Sequence, residues 1–126
     1  HSYSSAASDV YKRQTLYTIN KSNLNNLHVF PYSVRPKTTA FYLKDHNSPE
    51  VIKSRSRELN KISKLITTKS MRNIIGKKRS ILWEGKNMNS GLTEDYYRVI
   101  RKSVKLPNEY ISKQKIKGLE KDKLYI

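Results

Sequence analysis

LWEGKNMNSGLTEDYYRV, residues 82–99, decides how the chain is read. Its two ends are rich in aromatic and β-branched residues, and its centre, GKNMNSG (85–91), is turn-like. That is the pattern of strand, turn and strand. Working outward, the N-terminal end extends to RSILWE (79–84) and the C-terminal end to YYRVIRKSV (96–104). Two further β-rich segments follow, EYISKQKIK (109–117) and KLYI (123–126), with turn-like LPN (106–108) and GLEKD (118–122) between them. Short strands at this spacing predict a small antiparallel β-barrel or curled sheet over 76–126. Strand alternation sets Tyr97 and Val99 on the inner face and Tyr96 and Arg98 on the outer one. Trp83 is assigned to the core.

Upstream the composition changes. All four glycines (Gly76, Gly85, Gly91, Gly118) lie from residue 76 on, and three of the four prolines (Pro31, Pro36, Pro49) lie before it. Ser48-Pro49-Glu50 starts a helix: a serine cap, a proline that has no donor to lose, and an acid at the positive end of the dipole. Ile52, Leu59, Ile62, Leu65, Ile66 and Ile74 keep near-helical spacing, and Gly76 is a natural stop. One helix is expected over 49–72, either continuous or broken at Thr67-Thr68. Before it, PYSVRPKTTAFYLKDHN (31–47) is held extended by Pro31 and Pro36. NLHVF (26–30) reads as a short strand and residues 15–22 as a helix end. HSYSSAASDVYKRQ (1–14) is small and polar without apolar period, and is expected to be a non-native, adapter-derived tail.

Charge sets the partner class. The 126 residues carry 26 Lys and Arg against 10 Asp and Glu, a net +16, and the pI is near 10.1. Nucleic acid is the leading partner, with an anionic membrane surface behind it. No cysteine is present. That removes disulfides, thiolate metal sites, a Cys nucleophile and cysteine-ligated iron–sulfur clusters from this chain. No apolar run is long enough to span a bilayer, and none follows a basic start as a signal peptide would. The chain opens on His1 and its methionines are Met71 and Met88, so a fragment of a longer protein is expected.

Three segments together resemble the C-terminal part of the bacterial MtaB-type tRNA methylthiotransferases, which belong with the MiaB-type enzymes to the radical S-adenosylmethionine (radical-SAM) group. They are HVFPYSVRPKTTA (28–40), VIKSRSRELNKIS (51–63) and LWEGKNMNSGLTEDYYRV (82–99). The resemblance covers about residues 15–126, and the first block is its most specific part. It implies an α+β chain in four parts. After the tail of 1–14, residues 15–47 would be the strand and loop that end a radical-SAM barrel, and 48–75 a basic connecting helix. Residues 76–126 would be a TRAM domain, a small OB-like β-barrel that binds RNA. The sequence departs from the family at Lys37, where Gly is frequent, and at Asp95, where Asn is frequent. The implied reaction inserts sulfur and then methylates N6-threonylcarbamoyladenosine beside the tRNA anticodon. It uses iron–sulfur clusters and S-adenosylmethionine held by upstream domains, so this chain alone is expected to be inactive. tRNA and the rest of the parent enzyme are the implied partners, and a cytoplasmic location is expected.

No catalytic, cofactor-binding or metal-ligating residue is assigned. The candidate RNA-binding residues are Arg35, Lys77, Lys78, Arg79, Tyr96, Arg98, Arg101 and Lys102. Residues 50–79 carry ten basic side chains against Glu50 and Glu58. They read either as a diffuse phosphate-attracting surface or as a solvated helix face. Tyr96 and Arg98 are either a base-stacking and phosphate pair or simply exposed. Arg35 either reaches substrate at a barrel mouth or bonds local carbonyls. His28 is a packed residue and Glu94-Asp95 an exposed loop. Three functions therefore compete: the tRNA-binding end of a methylthiotransferase, a stand-alone basic RNA-binding protein without enzymatic activity, and a non-RNA adaptor whose basic helix binds an acidic protein.

Overall fold

The computed structural model describes residues 2–85, 87–102, 105 and 109–126, with side chains from residue 7 onward. The end of the expected strand 96–104 (Ser103, Val104) and the expected turn 106–108 lie outside the described residues. The chain is α+β, and it divides into two compact units, His1–Ile66 and Thr67–Ile126.

The first unit holds α1 (Ser2–Lys21), α2 (Thr39–Tyr42) and most of α3 (Pro49–Arg72). α3 begins where Ser48 accepts from the Val51 N–H at 3.3 Å through its side chain and from the Ile52 N–H at 3.0 Å through its carbonyl. The first bond satisfies a donor that a helix start otherwise leaves open, and the second is the first internal bond of the helix. It runs without interruption through Thr67-Thr68, so the continuous reading holds. Leu65 departs from expectation: it is exposed, off the stripe that half-buries Ile52, Leu59, Ile62 and Ile66. On that stripe Ser63 is buried and donates to the Leu27 carbonyl at 2.9 Å.

The expected helix end at 15–22 is the last part of α1. Residues 8–12 of the expected tail engage α3: Arg55 bonds Asp9 at 2.9 Å and Ser8 at 2.6 Å, and Lys12 pairs with Glu58 at 2.6 Å. NLHVF (26–30) is not a strand. A strand exists through pairing, and no neighbour pairs with this segment among the described residues; Leu27 satisfies its carbonyl on Ser63 instead.

The second unit is a six-stranded sheet: β1 (Lys78–Glu84), β2 (Ser90–Thr93), β3 (Arg98–Ile100), β4 (Ile111–Lys115), β5 (Gly118–Glu120) and β6 (Lys123–Tyr125), in the order β4-β1-β2-β3-β6-β5. Two features correct the antiparallel barrel expected from sequence. The β3–β6 pair is parallel, making the sheet mixed, and the sheet is not closed. Its edges, β4 and β5, are separated in the chain by Ile116 and Lys117 alone. A connection that short joins opposite edges only if the sheet curls. The two linking residues continue the bonding on either side. Ile116 exchanges bonds with Gly76 and Lys77, and the Lys117 N–H donates to the Tyr125 carbonyl at 2.9 Å.

The inner face collects Ile81, Trp83, Tyr97, Val99, Ile116, Leu124 and Ile126, and the end of α3 adds Met71 and the following turn Ile74. Alternation along β1 and β3 accounts for Ile81, Trp83 and Val99. Trp83, Tyr97 and Val99 are thus buried as expected, and Tyr96 and Arg98 exposed. Polar groups taken inside are satisfied: Trp83 Nε1 donates to Ser112 at 2.8 Å, and the Tyr97 hydroxyl donates to Ser70. Gly91, opposite Trp83 on β2, is required by space. A Cβ there would lie 2.5 Å from the Leu82 carbonyl oxygen and 2.7 Å from Ile81 Cγ2. Gly76, at φ +83, ends the helical turns by adopting the left-handed conformation.

Candidate nucleic-acid interface

The sheet register decides which basic residues share a surface. Lys78, Ser80, Leu82 and Glu84 alternate on the outer face of β1. Lys78 faces Lys115 on β4, Ser80 faces Lys113, and Leu82 faces Ile111. On the other side Leu82 faces Leu92 of β2, which faces Arg98 of β3. The outer face therefore carries a row of lysines, Lys78, Lys113 and Lys115, beside an apolar stripe, Ile111–Leu82–Leu92. All three lysines are exposed. Like charges directly opposite one another destabilise a ladder, and none of the three makes an ion pair among the described residues.

The tip of the β2–β3 hairpin overhangs this stripe. The Thr93 carbonyl accepts from the Tyr96 N–H at 2.9 Å, and the Thr93 N–H donates to the Tyr97 carbonyl at 3.0 Å. Tyr96 has φ +63. This is the three-residue hairpin loop whose last residue takes the left-handed conformation usual for glycine. Here that residue is a tyrosine with 85% of its surface exposed. Ser80, Leu82, Leu92, Thr93, Glu94, Tyr96 and Ile111 line a hollow of about 270 Å³.

The sequence-predicted residues divide on this geometry. Lys78, Tyr96 and Arg98 share the outer face, with Arg98 paired to Glu84 at 2.5 Å. Lys77 is exposed just before β1. Arg79 points the other way along β1, half-buried. Its Nε donates to Asp95 at 2.5 Å, with Glu94 at 3.9 Å. The acid at position 95 is thereby paired with a cation of the neighbouring strand β1. Arg101 braces the β1–β2 loop, bonding the Asn87 carbonyl at 3.1 Å. Lys102 pairs with Glu120, and its Nζ sits 4.2 Å from the centre of the Tyr125 ring. Arg35 lies in the first unit, exposed, beside Lys37 at φ +63. The Arg35 carbonyl accepts from the Thr38 hydroxyl at 2.8 Å. Lys113 and Lys115 were not singled out by sequence reasoning. ISKQK alternates Ile111, Lys113 and Lys115 onto one face, which was a legible signal. Their apposition to Lys78 requires the register.

Among the described residues no group of three His, Cys, Asp or Glu is placed to hold a metal ion, and no helix is long and apolar enough to cross a membrane. A scan of protein-family models finds none that matches the chain, and a search of curated proteins likewise returns no match.

Proposed function

We propose that this chain is the tRNA-binding C-terminal part of a radical-SAM methylthiotransferase, one that methylthiolates N6-threonylcarbamoyladenosine next to the anticodon. The observation that carries the RNA-binding part is the lysine row Lys78, Lys113 and Lys115. Lys78 and Lys115 face each other directly, and Lys113 lies two residues along the same strand; opposed cations without carboxylate partners among the described residues are held at a cost that an incoming phosphate backbone removes, with release of its condensed counterions. The enzyme part rests on the resemblance of residues 28–40, 51–63 and 82–99. The apolar load of the first unit supports it over a stand-alone RNA-binding protein. Phe30, Tyr42 and Leu43 are 81%, 74% and 60% exposed, a surface expected of a segment that packs against a larger body. The iron–sulfur clusters implied by the family do not fit this chain. With no cysteine it offers no thiolate to an iron–sulfur cluster, and no step of the chemistry is assigned to its residues.

Titrating tRNA against the full chain at several salt concentrations tests the binding. The logarithm of affinity should fall linearly with the logarithm of salt. Replacing Lys78, Lys113 and Lys115 together by Gln should reduce the slope by about 2 to 3. An unchanged slope would mean that the phosphates lie elsewhere. The enzyme reading requires three closely spaced cysteines in the coding sequence upstream. A start codon near residue 15 would replace it with the stand-alone RNA-binding protein.

A further inference from the structure

The outer face of the sheet joins two kinds of recognition that a base-paired helix cannot use together. Lys78, Lys113 and Lys115 suit phosphates. The hollow beside them is apolar on Leu82, Leu92 and Ile111 and is also lined by Tyr96. A duplex offers its phosphates but hides the faces of its bases, which leaves an exposed ring and leucine stripe without a partner. Glu94 also lines the hollow, so a phosphate is disfavoured inside it. The anionic backbone belongs on the lysine side, and a neutral base in the hollow. The Ser80 hydroxyl at the hollow, directly opposite Lys113, offers a hydrogen bond to a base edge at the junction of the two regions.

Tyr96 is the second observation. Its backbone is in the left-handed region at φ +63, where a bulky side chain is a conformational outlier, and strain of this kind concentrates at ligand-contacting positions. Asn or Gly would fit the same turn without that cost. The ring is not retained for packing, since it is the most exposed of the large apolar side chains among the described residues.

We infer that the Tyr96 hollow holds one unpaired RNA base, stacked on the Tyr96 ring over the Leu82–Leu92–Ile111 stripe, with the flanking phosphates on Lys78, Lys113 and Lys115. This deepens the proposed tRNA binding and rests on it: the surface takes an unpaired stretch of RNA, not a stem.

Fluorescence anisotropy on the full chain tests it, with three probes: an eight-nucleotide mixed-sequence RNA, the same strand annealed to its complement, and tRNA. The expected result is tighter binding of the single strand than of the duplex. Tyr96→Asn should weaken single-strand binding by about 5- to 150-fold, leave duplex binding unchanged, and raise the melting temperature. Tyr96→Phe should bind like the original chain. A ring that served structure alone would not produce this opposition, because losing it would lower stability and binding together. Equal affinity for strand and duplex, or single-strand binding indifferent to Tyr96→Asn, overturns the inference. If tRNA still binds with steep salt dependence in that case, the proposed function stands without it. If no probe binds, both fall.

Discussion

At the scale of the residue, the second unit is set by a few positions where space or charge leaves one choice. Gly91 is the clearest. Its missing side chain allows β1 and β2 to approach across Leu82 and Ile81, and the nearest obstacle is backbone, which cannot swing aside. Gly91→Ala should therefore destabilise the unit by about 1–3 kcal/mol. The check is a lower urea midpoint at unchanged m-value. Arg79 and Asp95 illustrate what sequence does and does not disclose. The inward turn of Tyr97 and Val99 and the outward turn of Tyr96 and Arg98 follow from period two, and the structure has them so. The pairing of Arg79 with Asp95 depends on the β1–β2 register, which carries Ile81 opposite Thr93 and sets the 94–95 turn beside Arg79. No local pattern encodes that. Arg79 thus looks as available as Lys78 in the sequence, and only the fold separates them.

At the scale of the element, long periodic segments were legible and short ones were not. α3 announces itself through a cap, a stripe and a stop, and its bounds Pro49–Arg72 match the expected 49–72. β5 and the first half of β2 were hidden inside segments that read as turns, because each strand is three or four residues long and contains a glycine kept for close packing. At Gly118 a Cβ would lie 2.5 Å from the Tyr125 hydroxyl, so the ring lies across the strand where a side chain would stand. The β5–β6 hairpin has an improvable turn. Lys121 and Asp122 both have positive φ, 46° and 63°, within a two-residue loop closed by Glu120 and Lys123. That geometry is the mirror-image turn in which Asn-Gly is preferred. Lys121→Asn should raise stability by about 0.5–1 kcal/mol, from lower strain at a left-handed position. A higher thermal midpoint without change in RNA affinity would verify it.

At the scale of the molecule, the two units differ in how their backbone is held. In the second unit the amides of β1, β2 and β3 are locked in ladders over a core whose Ile81, Val99, Ile116 and Leu124 have no exposed surface. In the first, residues 24–32 lie outside any helix or sheet, and Phe30 faces outward. Native-state hydrogen exchange should accordingly find residues 24–32 far less protected than 98–100. Equal protection would contradict this division. α3 continues from one unit into the other. That continuity is legible only where its last turns bring Ser70 and Met71 to the sheet.

The strand order has a consequence for synthesis. β6 is the last of the six strands in the chain, yet it stands inside the sheet, between β3 and β5. A ribosome therefore delivers β1, β2 and β3 well before the strand that must lie against Val99 and Ile100. Until Lys123–Tyr125 emerge from the exit tunnel, the nascent chain presents β3 as an open rim, and Val99 lacks the Leu124 that later covers it. Folding of the sheet thus waits for the last of its six strands. A transcript cut short before the codon for Lys123 yields a protein with an exposed inner edge, not a slightly smaller version of the domain, and such edges recruit chaperones and invite aggregation.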